Sequence, residues 1–292
     1  LELLMHLRMA EEKLSPKDAA AAVIADNLFG LELDPRCTQI AAFNVALGAW
    51  KVAGDHFEAP EMHIACSGLG PSASLDQWLK LADNSSKAWI GIPNHARQAV
   101  TNGLTNLHKL FSQAPELGSL IDPSQLGAGG ELFSADWETL QPFLAAAMQA
   151  EKDEDVHERA IAAQGMTKAA EVLSGEFTLV ITNVPYLGRG GQGDAIKEFA
   201  EKNYLEAKAD LATVFVSRIL RWLSQNGTTA VVTPQNWLFL TSYKKLRERL
   251  LKERTWNMVA RLGPKGFQTP MWDFNVMLAI ISGDRPAQQH IM

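Results

Sequence analysis

The sequence has few cysteines, no closely paired histidines, no long apolar run and no excess of positive charge. Its two cysteines, Cys37 and Cys66, lie far apart, which excludes a CxxC motif and makes a reducing cytoplasm the expected location. None of the seven histidines stands in an H-x-x-x-H pair, so we expect no zinc site. The apolar runs fall far short of the roughly 18 residues that span a bilayer, so we expect no membrane partner.

The charge balance bears on nucleic-acid binding. The chain has 27 lysines and arginines against 33 aspartates and glutamates, which gives a formal net charge of −6. The whole chain therefore does not attract nucleic acid at long range. Any contact with DNA must come from a local patch or from another part of the protein.

The 292 residues are 47% hydrophobic and 21% charged, which is ordinary for a globular protein of one or two domains. The sequence begins at Leu1, inside an amphipathic helical pattern, and not with Met. We therefore expect a fragment of a longer protein that begins upstream.

Helical patterns alternate with short apolar segments, which predicts an α/β fold with a mostly parallel sheet covered on both faces. Residues 71–172 differ, because they contain helical patterns and no strand pattern. The predicted parts are 1–70, a helical insertion at 71–172, and 173–292. The predicted strands are 28–33, 61–66, 177–181, 229–232, 256–262 and 275–282, and the predicted helices are 1–13, 16–26, 35–50, 75–83, 94–113, 134–172, 206–225 and 243–252.

One short motif is typical of chemistry at a sheet edge. Asn183, Val184, Pro185 and Tyr186 follow directly after an apolar strand pattern, and open α/β sheets bind ligands at the carboxyl ends of their strands. Asn and Pro also favour turns, so a plain turn with Tyr186 against the core is the alternative.

The sequence around this motif resembles the S-adenosylmethionine-dependent amino-methyltransferases, whose motif is N-P-P-Y or D-P-P-Y. It is most similar to the large adenine-specific DNA methyltransferases of restriction and BREX-type phage-defence systems. The resemblance implies a Rossmann-like class I methyltransferase fold that lacks its first strand here, S-adenosylmethionine as cofactor, DNA as partner, and further restriction or defence subunits. It is carried by NLFGLELDPR at 27–36, TNVPYL at 182–187, KADLA at 208–212 and TPQNWL at 233–238.

The resemblance also assigns roles in the motif. The Asn183 side-chain oxygen and the Val184 carbonyl would accept hydrogen bonds from the adenine amino group, which turns its lone pair toward the methyl donor. Tyr186 would stack on a base that has flipped out of the duplex, and Pro185 would stiffen the loop. The family usually has proline where this chain has Val184, but the carbonyl remains, so we expect the change to be tolerated.

On the cofactor side, the resemblance implies that Glu32 accepts hydrogen bonds from the ribose hydroxyls and that Leu33 lies against the adenine ring. Ser67, or a backbone N–H beside it, would contact the ring edge, and Asn183 would also border the cofactor. An ordinary surface carboxylate is the alternative for Glu32, and a helix cap is the favoured role for Asp34. The family's glycine-rich first motif is not in the sequence, so we expect the chain alone to bind the cofactor weakly or not at all.

Four further features have two interpretations each. Asp210 matches an Asp-Leu pair of the family or caps a helix. The glycine-rich loop 188–193 resembles a phosphate cradle but lacks the Lys-Ser/Thr of a P-loop, so a mobile segment beside the base pocket is favoured. The basic run favours a solvated helix face over phosphate contact. Aromatics near the end of the chain would line the base pocket or pack in the core. The basic run consists of Lys244, Lys245, Arg247, Arg249, Lys252 and Arg254. The aromatic residues are Phe267, Trp272 and Phe274.

Two rival functions stay open. The same pocket chemistry serves methylation of RNA or of a protein glutamine. A non-catalytic interaction fragment of the same fold is the other alternative, since the first motif is missing and Val184 departs from the pattern.

Overall fold

The computed structural model describes residues 1–54, 57–71, 73–80, 97–123, 154–263 and 275–286. The chain divides into two compact units, Leu1–Ser174 and Gly175–Met292. The boundary lies close to the one predicted at 173. Residues 71–172 group with 1–70 in this division, and their separate status as an insertion stays a prediction.

The described residues of the first unit form one parallel strand pair and several helices. Strands β1 and β2 run side by side, with Phe29 opposite His63 and Glu32 opposite Cys66. A helix connects them, as parallel pairing requires. The elements are α1 (Glu2–Glu12), α2 (Pro16–Asp26), β1 (Phe29–Glu32), α3 (Pro35–Ala53), β2 (His63–Cys66), α4 (Leu75–Leu79), α5 (Arg97–Phe111), α6 (Ala114–Leu117), a 3-10 turn (Gly118–Leu120) and α7 (Glu154–Ser174).

The helix starts in this unit follow the capping signals in the sequence. Ser15 accepts a hydrogen bond from the Asp18 backbone N–H at the start of α2, and Asp34 accepts one from Arg36 at the start of α3. Each precedes a proline, which suits the first helical turn. The predicted caps are thus confirmed. The unit's core at this end is apolar and consists of Met5, Ala20, Val23, Ile24 and Ala49.

The second unit contains a four-stranded sheet in the order β3-β4-β6-β5. β3 and β4 are parallel, whereas β6 runs antiparallel to both β4 and β5. The α/β class is confirmed, but this sheet is mixed and not mostly parallel. The elements are β3 (Phe177–Asn183), a 3-10 turn (Arg189–Gly191), α8 (Asp194–Asn203), α9 (Leu211–Ile219), β4 (Leu223–Pro234), two 3-10 turns (Gln235–Leu238 and Thr241–Tyr243), α10 (Lys244–Glu253), β5 (Thr255–Gly263) and β6 (Val276–Ser282).

The two faces of this sheet differ in burial. Val231 and Ala279 lie on a buried face, whereas Leu179 and Ile181 on the opposite face are 56% and 72% exposed. In the first unit, Phe29 on β1 is also exposed. The expectation of strands buried on both faces is therefore wrong for this chain. An apolar strand sequence indicates that both faces of the strand need to be buried, but it does not show that other residues of this chain bury them.

The largest error in the predicted elements is the helix at 206–225. The helix α9 covers only Leu211–Ile219, and β4 already begins at Leu223. The turn signal Asn226-Gly227 lies inside the strand and makes an irregularity there, with Asn226 in the left-handed region at φ 65°. A Cβ on Gly227 would lie 2.8 Å from the Phe177 carbonyl oxygen, so the turn packs closely against β3.

Candidate active site

The Asn183 motif stands at the carboxyl end of β3, as predicted. Asn183 is opposite Val232 in the parallel ladder, and its side chain is exposed. The Tyr186 hydroxyl donates a hydrogen bond of 2.8 Å to Asn183 Oδ1. Partial burial raises the pKa of Tyr186, so the hydroxyl stays protonated at neutral pH and remains a donor. The motif therefore places an oriented amide oxygen beside an aromatic ring.

Val184 explains how this chain differs from N-P-P-Y. Its side chain is buried, and its backbone N–H donates a 3.2 Å hydrogen bond to the Val232 carbonyl. Proline has no N–H and could not make this bond. Here the ladder between β3 and β4 extends one residue further, which stiffens the loop by a different means.

Asp210 connects the motif loop to α9. Its Oδ1 accepts a 2.8 Å hydrogen bond from the Ala212 backbone N–H and a 3.4 Å bond from that of Leu187. The Leu211 N–H in turn donates to the Leu187 carbonyl at 2.9 Å. The capping interpretation is confirmed. The tether to the motif loop was not predicted, because nothing in the sequence pairs Leu187 with a residue 23 positions away.

The glycine-rich loop after the motif is held at several points. Gln192 is buried, and its side-chain amide donates to the Leu187 carbonyl at 3.0 Å. Glu201 forms ion pairs with Arg189 at 2.6 Å and Lys208 at 3.1 Å. The hydrogen bond and charge of Lys208, together with the charge of Arg189, lower the pKa of Glu201. These contacts fix both flanks of the loop, and its mobility stays a prediction.

A shallow cavity of about 280 Å³ opens on the exposed face of the sheet beside Asn183. Its other lining residues are mostly apolar and include Ile181, Val232, Met258 and Leu278. The motif therefore stands at the border of an apolar recess, which suits contact with an apolar or aromatic surface.

The cofactor candidates lie in the first unit, at the carboxyl ends of β1 and β2. The exposed Glu32 side chain accepts a 3.0 Å hydrogen bond from the Leu33 backbone N–H, and Leu33 is 49% exposed. Ser67 is fully buried. Its hydroxyl and backbone N–H both lie within hydrogen-bonding distance of the Glu32 carbonyl, and the hydroxyl is 3.0 Å from Ser119 Oγ. These contacts favour a supporting role for Ser67 over direct contact with a cofactor.

Two glycines surround Leu33. A Cβ on Gly68 would lie 2.2 Å from the Leu33 carbonyl oxygen, and one on Gly118 would lie 2.7 Å from Leu33 Cδ1. Gly118 also has φ 49°, which favours glycine. Together with Ser119, these contacts bring the turn Gly118–Leu120 against the end of β1. Sequence reasoning missed this turn, because it follows β1 by more than eighty residues.

The helix-cap role predicted for Asp34 is confirmed, and the contacts of Cys66 are structural. Hydrogen bonds from the Arg36 side chain and backbone lower the pKa of Asp34 to about 2, as expected for a helix cap paired with a cation. Cys66 is buried and donates a 3.2 Å hydrogen bond to the Leu33 carbonyl. Neither side chain needs a ligand to explain its position.

The basic run on α10 has a largely structural role. Arg247 donates to the Trp237 and Leu240 carbonyls, both at 2.7 Å. Arg249 pairs with Glu206 at 2.7 Å, and Arg254 donates to the Gly283 carbonyl at 2.6 Å. The predicted solvated face is therefore correct only for part of the run. Phe267, Trp272 and Phe274 lie outside the described residues.

Within the described ranges, no group of three or more His, Cys, Asp or Glu side chains could hold a metal ion. No helix in those ranges is long and apolar enough to cross a membrane.

Similar structures include a nuclease-deletion mutant of the Type ISP restriction-modification enzyme LlaGI in complex with a DNA substrate mimic. It has 12% identity and a TM-score of 0.48, over 96% of this chain and 19% of that one. A Listeria monocytogenes protein assigned to the class I S-adenosylmethionine-dependent methyltransferases has 11% identity and a TM-score of 0.34, over 99% of this chain and 88% of that one.

Two curated proteins are similar in sequence. The adenine-specific methyltransferase BrxX of Escherichia coli O9:H4 (strain HS) is 27% identical over 266 residues, which are 86% of this chain and 21% of that protein. The adenine-specific methyltransferase PglX of Lacticaseibacillus casei (strain Zhang) is 29% identical over 267 residues, which are 91% of this chain and 21% of that protein. The chain thus spans about a fifth of the length of these relatives. Residues 26–267 match the Eco57I restriction-modification methylase family, and the chain therefore belongs to that family.

Proposed function

We propose that this chain is the methyltransferase part of an enzyme that methylates the amino group of adenine in DNA, within a restriction-modification or phage-defence system. The observation that carries the proposal is the oriented Asn183 oxygen beside the Tyr186 ring, at the carboxyl end of a strand. Family membership and the names of BrxX and PglX support adenine as the target. DNA and further defence subunits are the proposed partners.

The chemical need is to activate a poor nucleophile. The lone pair of the adenine amino group is delocalised into the ring. Two acceptors that bind its N–H bonds favour a tetrahedral nitrogen whose lone pair points out of the ring plane. Asn183 Oδ1 and the Val184 carbonyl would be those acceptors, and Tyr186 would stack on the flipped base. Fixed dipoles of this kind accelerate a reaction because they need no reorganisation in the transition state.

S-adenosylmethionine, when bound, supplies an electrophilic methyl group. We propose that Glu32 accepts hydrogen bonds from its ribose hydroxyls, that Leu33 lies against its adenine ring, and that Asn183 borders it. The exposed carboxylate of Glu32 fits this role, since the hydrogen bond that it accepts from Leu33 leaves further acceptor capacity. Ser67 would hold the Glu32 carbonyl in place, so its contribution is to position β1.

The test compares Asn183→Ala with wild type in the full-length protein, using transfer of a labelled methyl group to DNA. We expect a loss of about a hundredfold or more in rate, because the variant lacks a preorganised acceptor. Asn257→Ala is the matched control, since Asn257 is an exposed asparagine on β5 in the same unit. Full activity of Asn183→Ala would contradict the catalytic assignment.

The substrate and cofactor assignments need separate measurements. If the full-length protein methylates RNA or a protein glutamine but not DNA, that molecule replaces DNA as the proposed substrate. Calorimetric titration with S-adenosylhomocysteine should compare this chain with an upstream-extended form. Binding by the extended form alone would place the remaining cofactor contacts upstream, and binding by neither form would favour a non-catalytic interaction fragment.

A further inference from the structure

The second unit has a cavity that the methyltransferase proposal does not use. It has a volume of about 440 Å³ and lies near the end of α9, with Ser217 and Arg221 in its lining. Asp210 and the motif loop are at the opposite end of this helix. The lining of this cavity shares no residue with the motif 183–186 or with the cavity beside Asn183, so the two sites are distinct.

Three arginines line this cavity, and each is held by a neighbour. The Arg221 guanidinium stacks over the Tyr204 ring at 4.5 Å. Arg249 Nε donates to Glu206 at 2.7 Å, and Arg254 Nη1 donates to the Gly283 carbonyl at 2.6 Å. Such anchoring restricts the side chains before any ligand binds, which lowers the entropic cost of binding.

The charge around the cavity is positive although the chain is acidic. Arg221, Arg249 and Arg254 face a single lining carboxylate, that of Glu206. Glu253 lies outside the lining, and its carboxylate is 3.6 Å from the Arg249 guanidinium. The three guanidinium groups exceed these two carboxylates by one positive charge. An anionic ligand would compensate the excess, and guanidinium groups match the oxygen geometry of phosphate.

Two buried polar atoms in the lining point to an absent acceptor. Ser217 is 7% exposed, and its Oγ has no hydrogen-bond partner among the described residues. Arg254 Nε is likewise buried, without a partner in the same part of the chain. Buried donors without partners cost free energy, and one oxyanion with several acceptor oxygens could bind both.

We infer that this cavity binds a phosphate group, carried by a free nucleotide or by a nucleic-acid backbone. The arginines supply the charge-assisted donors, and Ser217 supplies a neutral one. The inference does not depend on methyl transfer, because no residue of the Asn183 motif takes part in it.

The test measures binding to the 292-residue chain by calorimetry at about 50 mM salt, where phosphate contacts are strong. The probes are pyrophosphate, ADP and a duplex of G·C pairs alone, which offers backbone phosphates but no adenine. Binding of ADP and pyrophosphate without the duplex identifies a free nucleotide. Duplex binding that pyrophosphate displaces identifies the backbone.

Two substitutions have opposite expected effects. Ser217→Ala should weaken binding about fivefold to tenfold, because a donor is lost, while folding is preserved since that donor had no partner. Glu206→Gln should tighten binding about threefold or more, because the only lining carboxylate is neutralised. A gain in affinity cannot arise from misfolding.

The controls are Lys252→Gln and Glu248→Gln, which change charge on α10, the helix of Arg249, outside the cavity lining. Wild-type behaviour of both supports the site. Equal effects of control and cavity variants would show diffuse surface attraction and overturn the inference. Lack of binding by all three probes, or binding of a glutamate-rich peptide in their place, would also overturn it.

Discussion

The two candidate regions, the Asn183 motif in the second unit and the end of β1 in the first, are built differently. At the Asn183 motif, side chains hold the geometry: Tyr186 binds Asn183, and Asp210 binds the motif loop. At the end of β1, packing of the backbone holds it, with Gly68 close against Leu33 and Ser67 bonded to the Glu32 carbonyl. The comparison teaches that the Asn183 region depends on hydrogen bonds between side chains and the motif, whereas the β1 end combines the Ser67 hydroxyl with a close backbone approach that only glycine allows.

The largest effect is expected from Gly68→Ala. The new Cβ would lie 2.2 Å from the Leu33 carbonyl oxygen, so the backbone must shift, at a cost of about 3 kcal/mol of unfolding free energy. Chemical denaturation measures this change. Gly30→Ala on β1 is the matched control, since its nearest neighbour would be 3.5 Å away. Equal stability of both variants would show that the β1 end is not tightly packed.

A smaller effect is expected from Asp210→Ala. The substitution removes the cap of α9 and the tether to Leu187, so we expect a loss of about 1–2 kcal/mol. Asp210→Asn keeps an acceptor oxygen and should restore most of the stability. Thermal unfolding of the three proteins decides this. If Asn fails to restore stability, the charge of Asp210 and not its hydrogen bonds is what matters.

Val184→Pro makes the motif N-P-P-Y and sharpens the comparison further. The variant loses the hydrogen bond to the Val232 carbonyl, which should cost about 1 kcal/mol. The carbonyl at position 184 remains, so the rate of methyl transfer by the full-length protein should change by no more than about threefold. Urea unfolding beside the methylation assay separates the two effects, and a large loss of activity would assign the valine a direct role.

The smallest effect concerns pH and Asp34. Its pKa is lowered to about 2 by Arg36, so the folded state favours the carboxylate. The contribution is complete above the unfolded pKa of about 4 and is lost as pH falls toward 2. As the pH falls over this range, the difference in free energy of unfolding between wild type and Asp34→Asn should therefore become smaller. A gap that stays constant in denaturant titrations at several pH values would refute the cap–arginine pairing.

Local signals in the sequence predicted local structure well. Ser15 and Asp34 were identifiable as caps because a cap and its helix are adjacent, and the carboxyl-end position of Asn183 follows from the apolar strand before it. The helix α9 was predicted too long at both ends. Its apolar pattern continues through Trp222 into β4, and only pairing with β3 decides where the strand begins.

The site contacts that the sequence did not reveal are long-range ones. Ser119 lies 52 positions from Ser67, yet their hydroxyls are 3.0 Å apart. The sequence does not distinguish Gly118 from other loop glycines, because its close contact with Leu33 exists only in the folded chain. Periodicity and motifs carry no information about such pairings, since they depend on how distant segments pack.

The β3 strand has a consequence for handling the protein at high concentration. It pairs with β4 alone among the described strands, and its stretch Phe177–Asn183 has neither charge nor proline. Leu179 and Ile181 are exposed on it. Uncharged edge strands of this kind are templates for association between chains and can start aggregation. We therefore expect the isolated chain to self-associate through β3.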